Sequence, residues 1–161
     1  MKTCLVGCGG IAAVHGSVLT SGIDTEFVAA ADIKPEKAQT YAENFHTKPY
    51  PSLESMLEAE KPDVLHICTP HYLHVPMAIY SLERNINVFM EKPPAISFDQ
   101  LEELKKAAAK SEAQLGFCYQ NRYNASIRAA KDLIDSGKAG KVLGARAFVT
   151  WCRGAAYYTE S

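Results

Sequence analysis

The sequence predicts an α/β fold: a doubly wound parallel sheet in strand order 3-2-1-4-5-6, followed by the start of an α+β second domain. Three observations carry this expectation. Short apolar runs alternate with helical stretches along residues 1–119. The runs are nearly continuous in apolar residues, as in parallel strands buried on both faces. The first run leads straight into Gly7, Gly9 and Gly10 and then into a helical stretch, the strand–turn–helix unit from which such sheets start. Right-handed crossovers complete the topology.

The elements follow in order. Residues 3–6 form the first strand, and residues 11–21 a helix that Gly22 is placed to end. Residues 25–31 (TEFVAAA) are the second strand, closed by Asp32. Pro35 suits the first turn of a helix reaching Phe45. Tyr50 marks a short third strand. Ser52 caps a helix to Glu60, and Lys61-Pro62-Asp63 breaks it. Residues 64–68 (VLHIC) are the fourth strand, stopping at Thr69-Pro70. A helix follows over residues 74–85, with Val75, Ala78, Ile79 and Leu82 on one face. Residues 86–90 (INVFM) are the fifth strand. Ser97 and Gln100 read as a capping box for a helix to Ser111, with Phe98, Leu101, Leu104 and Ala108 inward. Residues 114–119 are the sixth strand. Beyond it, Asn124 caps a helix to Ser136 with Ile127, Ala130, Leu133 and Ile134 on one face. Residues 142–151 alternate as a half-exposed strand does. The expected domains are thus 1–119, which binds a nucleotide, and 120–161, an incomplete second domain that packs on further chain or on another copy.

Gly7, Gly9 and Ala12 form G-x-G-x-x-A, the small-residue variant of the dinucleotide fingerprint. Gly7 allows the sharp turn, Gly9 lets a pyrophosphate approach the backbone, and Ala12 lets helix and strand pack closely. Gly10 and Ile11 open the helix, whose free N–H groups and dipole favour phosphate. Asp32 stands where a carboxylate accepts hydrogen bonds from the adenosine ribose, which favours NAD. Lys34, two residues on, leaves NADP open. Thr69, Pro70 and His74 lie beside the expected topological switch point. Glu91, Lys92 and Pro93 end the fifth strand. An ammonium there can polarise a substrate hydroxyl, with Glu91 orienting it.

Composition excludes other classes. The 161 residues are 47% apolar and 22% charged, with net charge −1. Without a basic excess, nucleic acid is not an expected partner. The N-terminus lacks the pattern of a signal peptide, and no apolar run approaches the roughly 18 residues of a membrane span. Cys4, Cys8, Cys68, Cys118 and Cys152 form no CxxC pair and read as buried, reduced thiols of a cytoplasmic protein. Cys8 has the alternative reading of a reactive thiol beside the cofactor. His71 and His74 lack a nearby carboxylate, and no metal site is expected. His15 and His46 are expected at a helix surface or in packing, and His66 buried in its strand.

Taken together, GCGGIAAVH at 7–15, Asp32, CTPHYLH at 68–74, EKPPA at 91–95 and NRYN at 121–124 resemble the Gfo/Idh/MocA oxidoreductase family, which includes glucose–fructose oxidoreductase and inositol dehydrogenase. The resemblance spans essentially the whole chain. It implies an NAD(P)-dependent oxidoreductase acting on a sugar, inositol or related polyol, with a Rossmann N-terminal domain. It further implies a C-terminal sheet domain that supplies substrate contacts and an oligomer interface. By position it makes Gly7, Gly9 and Ala12 the phosphate turn and Asp32 the ribose acid. Thr69, Pro70 and His74 become the nicotinamide-side segment, and Lys92, within Glu91-Lys92-Pro93, the catalytic lysine. Asn121-Arg122-Tyr123 falls where the family chain enters its substrate domain. His71 departs from the asparagine common in the family. Family chains are about twice as long and carry a second Asp/His motif in the C-terminal domain, whereas no histidine follows His74 here. The expectation is therefore an N-terminal portion that binds cofactor with little turnover. Two alternatives stand beside it: a stand-alone dinucleotide-binding module with a regulatory or interaction role, and a compact dehydrogenase completed by site sharing in a dimer.

Overall fold

The computed structural model describes residues 1–22 and 24–155. It contains two compact units, Met1–Cys118 and Tyr119–Ser161. The first holds six parallel strands: β1 (Lys2–Val6), β2 (Glu26–Ala31), β3 (Lys48–Tyr50), β4 (Val64–Ile67), β5 (Asn87–Glu91) and β6 (Leu115–Cys118). Their order is β3-β2-β1-β4-β5-β6, as the alternating pattern requires. The connecting helices are α1 (Ala12–Ser21), α2 (Pro35–Phe45), α3 (Leu53–Glu60), α4 (His74–Leu82) and α5 (Phe98–Lys110).

Both faces of the sheet are covered, which explains the continuous apolar strands. On one face Cys4, Val6, Leu65, Ile67, Val88 and Met90 pack with Met56 of α3, Val75 of α4 and Leu104 of α5. On the other, Leu5 and Ala30 pack with Ala12 of α1 and Tyr41 of α2. A contact between α1 and α2 depends on Gly16, where a Cβ would lie 2.5 Å from the Tyr41 hydroxyl and 2.7 Å from the Phe45 ring.

Local signals set the boundaries. Pro35 starts α2. Ser52 accepts from the Ser55 amide, and Ser97 accepts from that of Gln100 at 3.2 Å. The Gln100 side chain reaches past Ser97 to the Ile96 amide, so the box closes one residue earlier than its usual form. Gly22 ends α1 in an extended rather than left-handed conformation. The fourth helix ends at Leu82, short of the expected Asn85, because Asn85 turns to positive φ. Phe98, expected inward, is 87% exposed. It opens α5, and a first-turn side chain reaches back over ground N-terminal to its own Cα.

At the amino edge of the sheet, the Glu60 carboxylate takes hydrogen bonds from the Tyr50 hydroxyl at 2.6 Å and Lys48 Nζ at 2.9 Å. Lys2 Nζ lies 3.0 Å from its other oxygen. These bonds hold its pKa at about 2 instead of 4.5. Because the folded value lies below the unfolded one, the stabilisation is complete above pH 4.5 and lost as pH falls through about 2. Allowing for solvent screening it amounts to about 1–2 kcal/mol. Urea denaturation should show Glu60→Gln less stable than wild type at neutral pH by this amount, with the gap shrinking in acid.

The second unit opens with a 3-10 turn at Gln120–Tyr123, followed by α6 (Ala125–Asp135). Asn124 caps α6 by accepting from the Ser126 amide. Its apolar residues Ile127, Leu133 and Ile134 are exposed. Residues 142–151 form no strand, against the expectation. An alternating segment needs a neighbour to bond its N–H and C=O groups, and no strand is present in this unit among the described residues.

Candidate cofactor and catalytic site

Parallel pairing brings the carboxyl ends of β2, β1, β4 and β5 to one edge. The order reverses between β1 and β4, the switch point where ligands bind in such sheets. The glycine turn sits there. Gly7 has φ +91°, and a Cβ on it would lie 2.7 Å from the Cys68 carbonyl carbon and the Thr69 nitrogen. Its amide donates to the Ala31 oxygen at 2.8 Å, and the Cys68 amide to the Val6 oxygen at 2.8 Å. Gly9 and Gly10 are different: a Cβ on either meets nothing within 4 Å. The space over them is open, and among the described residues the amides of Gly9, Gly10 and Ile11 donate to no protein acceptor. Open space, free donors and a helix start form a cradle suited to a pyrophosphate. Ala12 is fully buried beneath it.

Asp32 closes the cradle. Its Oδ2 accepts from the Cys8 amide at 2.9 Å and its Oδ1 from the Lys34 amide at 2.8 Å. Each carboxylate oxygen keeps a lone pair for a ribose hydroxyl. Cys8 is half-buried, and burial, then Asp32, pushes its thiol up to about 12. Its Sγ faces the Ala31 oxygen. Both effects favour the thiol over the thiolate, and nothing in this geometry activates it as a nucleophile. None of the five cysteines is in a disulfide; Cys8 and Cys118 are half-buried and Cys152 exposed, so burial holds only for Cys4 and Cys68.

Thr69 and Pro70 follow β4 on the other side of the switch point. Of the two roles open to His74, structural or cofactor-side hydrogen bonds, the structure shows the structural one. It is wholly buried, with Nδ1 2.8 Å from the Pro93 oxygen and Nε2 2.9 Å from the Thr69 oxygen. Its ring ties the loop after β4 to the loop after β5 and leaves no atom for a ligand. His74→Leu should therefore remove the ring that joins the two loops, leave at least one inward-facing carbonyl without its donor and cost about 1–3 kcal/mol, read from urea denaturation. His71 is exposed; burial and the neighbouring His74 and Lys92 lower its pKa.

Glu91 is buried at the end of β5. Its Oε2 accepts from the Lys92 amide at 3.2 Å and lies 4.0 Å from Lys92 Nζ. The lysine is half-exposed at this edge. Sequence reasoning missed the partner of the other oxygen: His15 Nε2 lies 3.1 Å from Glu91 Oε1, and His15 Nδ1 lies 3.0 Å from His66 Nδ1. His15 is buried, not on the helix surface. The signal was its spacing. Ala12, His15, Gly16 and Leu19 are the buried positions of α1, one helical stripe. The fold also brings Cys118 within 4.8 Å of His15 and Glu91, a group with metal-ligating chemistry that sequence spacing did not reveal.

Comparison with known proteins agrees with this fold. The family model described as an oxidoreductase family with an NAD-binding Rossmann fold, GFO_IDH_MocA, matches residues 1–119. D-glucoside 3-dehydrogenase of Escherichia coli (strain K12) is 28% identical over 144 residues, covering 88% of this chain and 41% of that protein. Inositol 2-dehydrogenase/D-chiro-inositol 3-dehydrogenase of Lacticaseibacillus casei is 28% identical over 151 residues, covering 91% and 44%. The crystal structure of the WlbA dehydrogenase from Bordetella pertussis in complex with NADH and UDP-GlcNAcA has a TM-score of 0.83 at 31% identity, covering 87% of this chain and 43% of that one. The chain spans less than half the length of each of these proteins. Among the described residues no helix is long and apolar enough to cross a membrane.

Proposed function

Because this chain belongs to the Gfo/Idh/MocA oxidoreductase family, with its NAD-binding Rossmann fold, we propose that it is the cofactor-binding part of a dehydrogenase that moves hydride between nicotinamide and a carbon bearing a hydroxyl on a sugar, inositol or related polyol. The observation that carries this is the convergence on one sheet edge of an open phosphate cradle at Gly9 and Gly10, the Asp32 carboxylate, and Lys92 paired to buried Glu91.

Each part has a task. The amides of Gly9, Gly10 and Ile11 receive the pyrophosphate, and Asp32 receives the adenosine ribose. Its charge opposes a 2′-phosphate, which favours NAD. Thr69 and Pro70 line the nicotinamide side. When bound, the nicotinamide supplies the hydride acceptor or donor. Lys92 hydrogen-bonds the substrate oxygen and takes part in moving its proton, while Glu91 holds the ammonium at the strand end. The named substrates of the relatives, a glucoside and inositols, support the polyol class. The chain covers the first two fifths of such proteins, so we assign residues 120–161 to the start of a substrate domain and expect little turnover from this chain alone.

Fluorescence titration with NADH tests the reading. Wild type should bind saturably. Gly9→Ala should keep wild-type stability to within about 0.5 kcal/mol, because its methyl meets no protein atom. It should lose about tenfold or more in affinity, because the methyl occupies the cradle. No NADH binding by the folded wild type would sink the proposal. A panel of inositols and sugars with NAD+ then reads turnover; a chain that binds NADH and turns over none of them behaves as the binding module alone.

A further inference from the structure

Three buried or half-buried side chains from three elements form an unbroken hydrogen-bonded line: His66 of β4, His15 of α1 and Glu91 of β5. The line ends at Lys92. A carboxylate only accepts, so His15 donates Nε2–H to Glu91 Oε1. Burial, then the neighbouring His15, holds the pKa of His66 at about 4, so it is neutral at neutral pH and carries one ring proton. With His15 neutral, that proton sits on His66 Nδ1 and points to His15 Nδ1; with His15 charged, the direction reverses. Either way Glu91 keeps its donor.

The Glu91 carboxylate is buried at the end of its strand. Two donors reach it, His15 and the Lys92 amide. We propose that His15 is a positioning residue for the lysine centre: its N–H holds the Glu91 carboxylate turned so that Oε2 faces Lys92. The helix that cradles the cofactor thereby sets the charge environment of the lysine. Other groups within reach are Cys68 at the end of β4, Cys118 at the end of β6, His71 before α4 and His74 at its start. Of these His74 is committed to main-chain carbonyls. The proposal rests on the dehydrogenase reading only for the meaning of Lys92; its test reads the lysine directly.

The test is competitive amine labelling of the purified chain across alkaline pH, with labelling at Lys92 quantified by mass spectrometry against exposed Lys105 and Lys131. Glu91→Gln removes the carboxylate and should lower the Lys92 midpoint by about half a pH unit or more. His15→Ala should lower it similarly, because the carboxylate is then free to turn away from Lys92. His15→Gln, which restores an N–H donor, should bring it back toward wild type. A folded His15→Ala protein with an unchanged midpoint, or no recovery in His15→Gln, overturns the proposal. If the alanine variant does not fold, 15N-resolved histidine spectra of wild type decide: protonated Nε2 on His15 supports it, bare Nε2 overturns it. Failure here leaves NADH binding untouched, so the two readings are separable.

Discussion

Gly7→Ala is expected to lower the stability of the α/β unit by about 3 kcal/mol or more, a fall in Tm of roughly 10 °C. Two effects add. A left-handed φ of +91° costs an L side chain about 1–2 kcal/mol. The new methyl also falls 2.7 Å from the backbone of Cys68 and Thr69. Those atoms cannot retreat cheaply, because the Cys68 amide is bonded to the Val6 oxygen and the strands on both sides are buried. Relief would pull apart β1 and β4 at the switch point itself. NADH affinity should fall with stability in this variant, in contrast to Gly9→Ala, where only affinity falls. Thermal melts and NADH titrations on both variants check the pair. A Gly7→Ala protein as stable as wild type would contradict the turn geometry.

Lys92→Ala is expected to reduce kcat by about 10²–10⁴-fold, equivalent to about 3–5 kcal/mol of transition-state stabilisation. NADH affinity should stay within about twofold, because the lysine lies at the end of β5 and not in the phosphate cradle. Stability should also change little, since the ammonium is half-exposed and its 4.0 Å contact to Glu91 is a weak ion pair. Because little turnover is expected from this chain alone, the comparison is made on whichever polyol gives residual turnover in the panel above. Intact turnover in Lys92→Ala would remove the lysine from the chemistry and leave the cradle assignment standing.

Much of the fold was legible because the chain states its local rules in place. Pro35, Ser52 and Ser97 each mark a helix start that the structure reproduces, and continuous apolar runs implied a sheet covered on both sides. Legibility failed where the deciding contact is remote in sequence. His15 and Glu91 are separated by 76 positions, and a histidine on a helix carries no local mark of its partner. Only the stripe it shares with Ala12, Gly16 and Leu19 pointed inward. His74 was placed near the site but not understood, because its partners are two backbone carbonyls, which no residue type announces. Phe98 and residues 142–151 show the opposite failure: a local pattern was clear, but the surface it needs is not supplied within its own unit.

The bond from the Cys8 amide to Asp32 Oδ2 bears on any attempt to redesign this protein's cofactor preference. The residue proposed to disfavour a 2′-phosphate also braces the loop proposed to receive the pyrophosphate. Removing the carboxylate to admit NADP would relax the brace in the same step, weakening the grip shared by both nucleotides. A successful exchange would have to supply the Cys8 and Lys34 amides with two acceptors; asparagine at this position keeps one carbonyl oxygen and so serves only one of them.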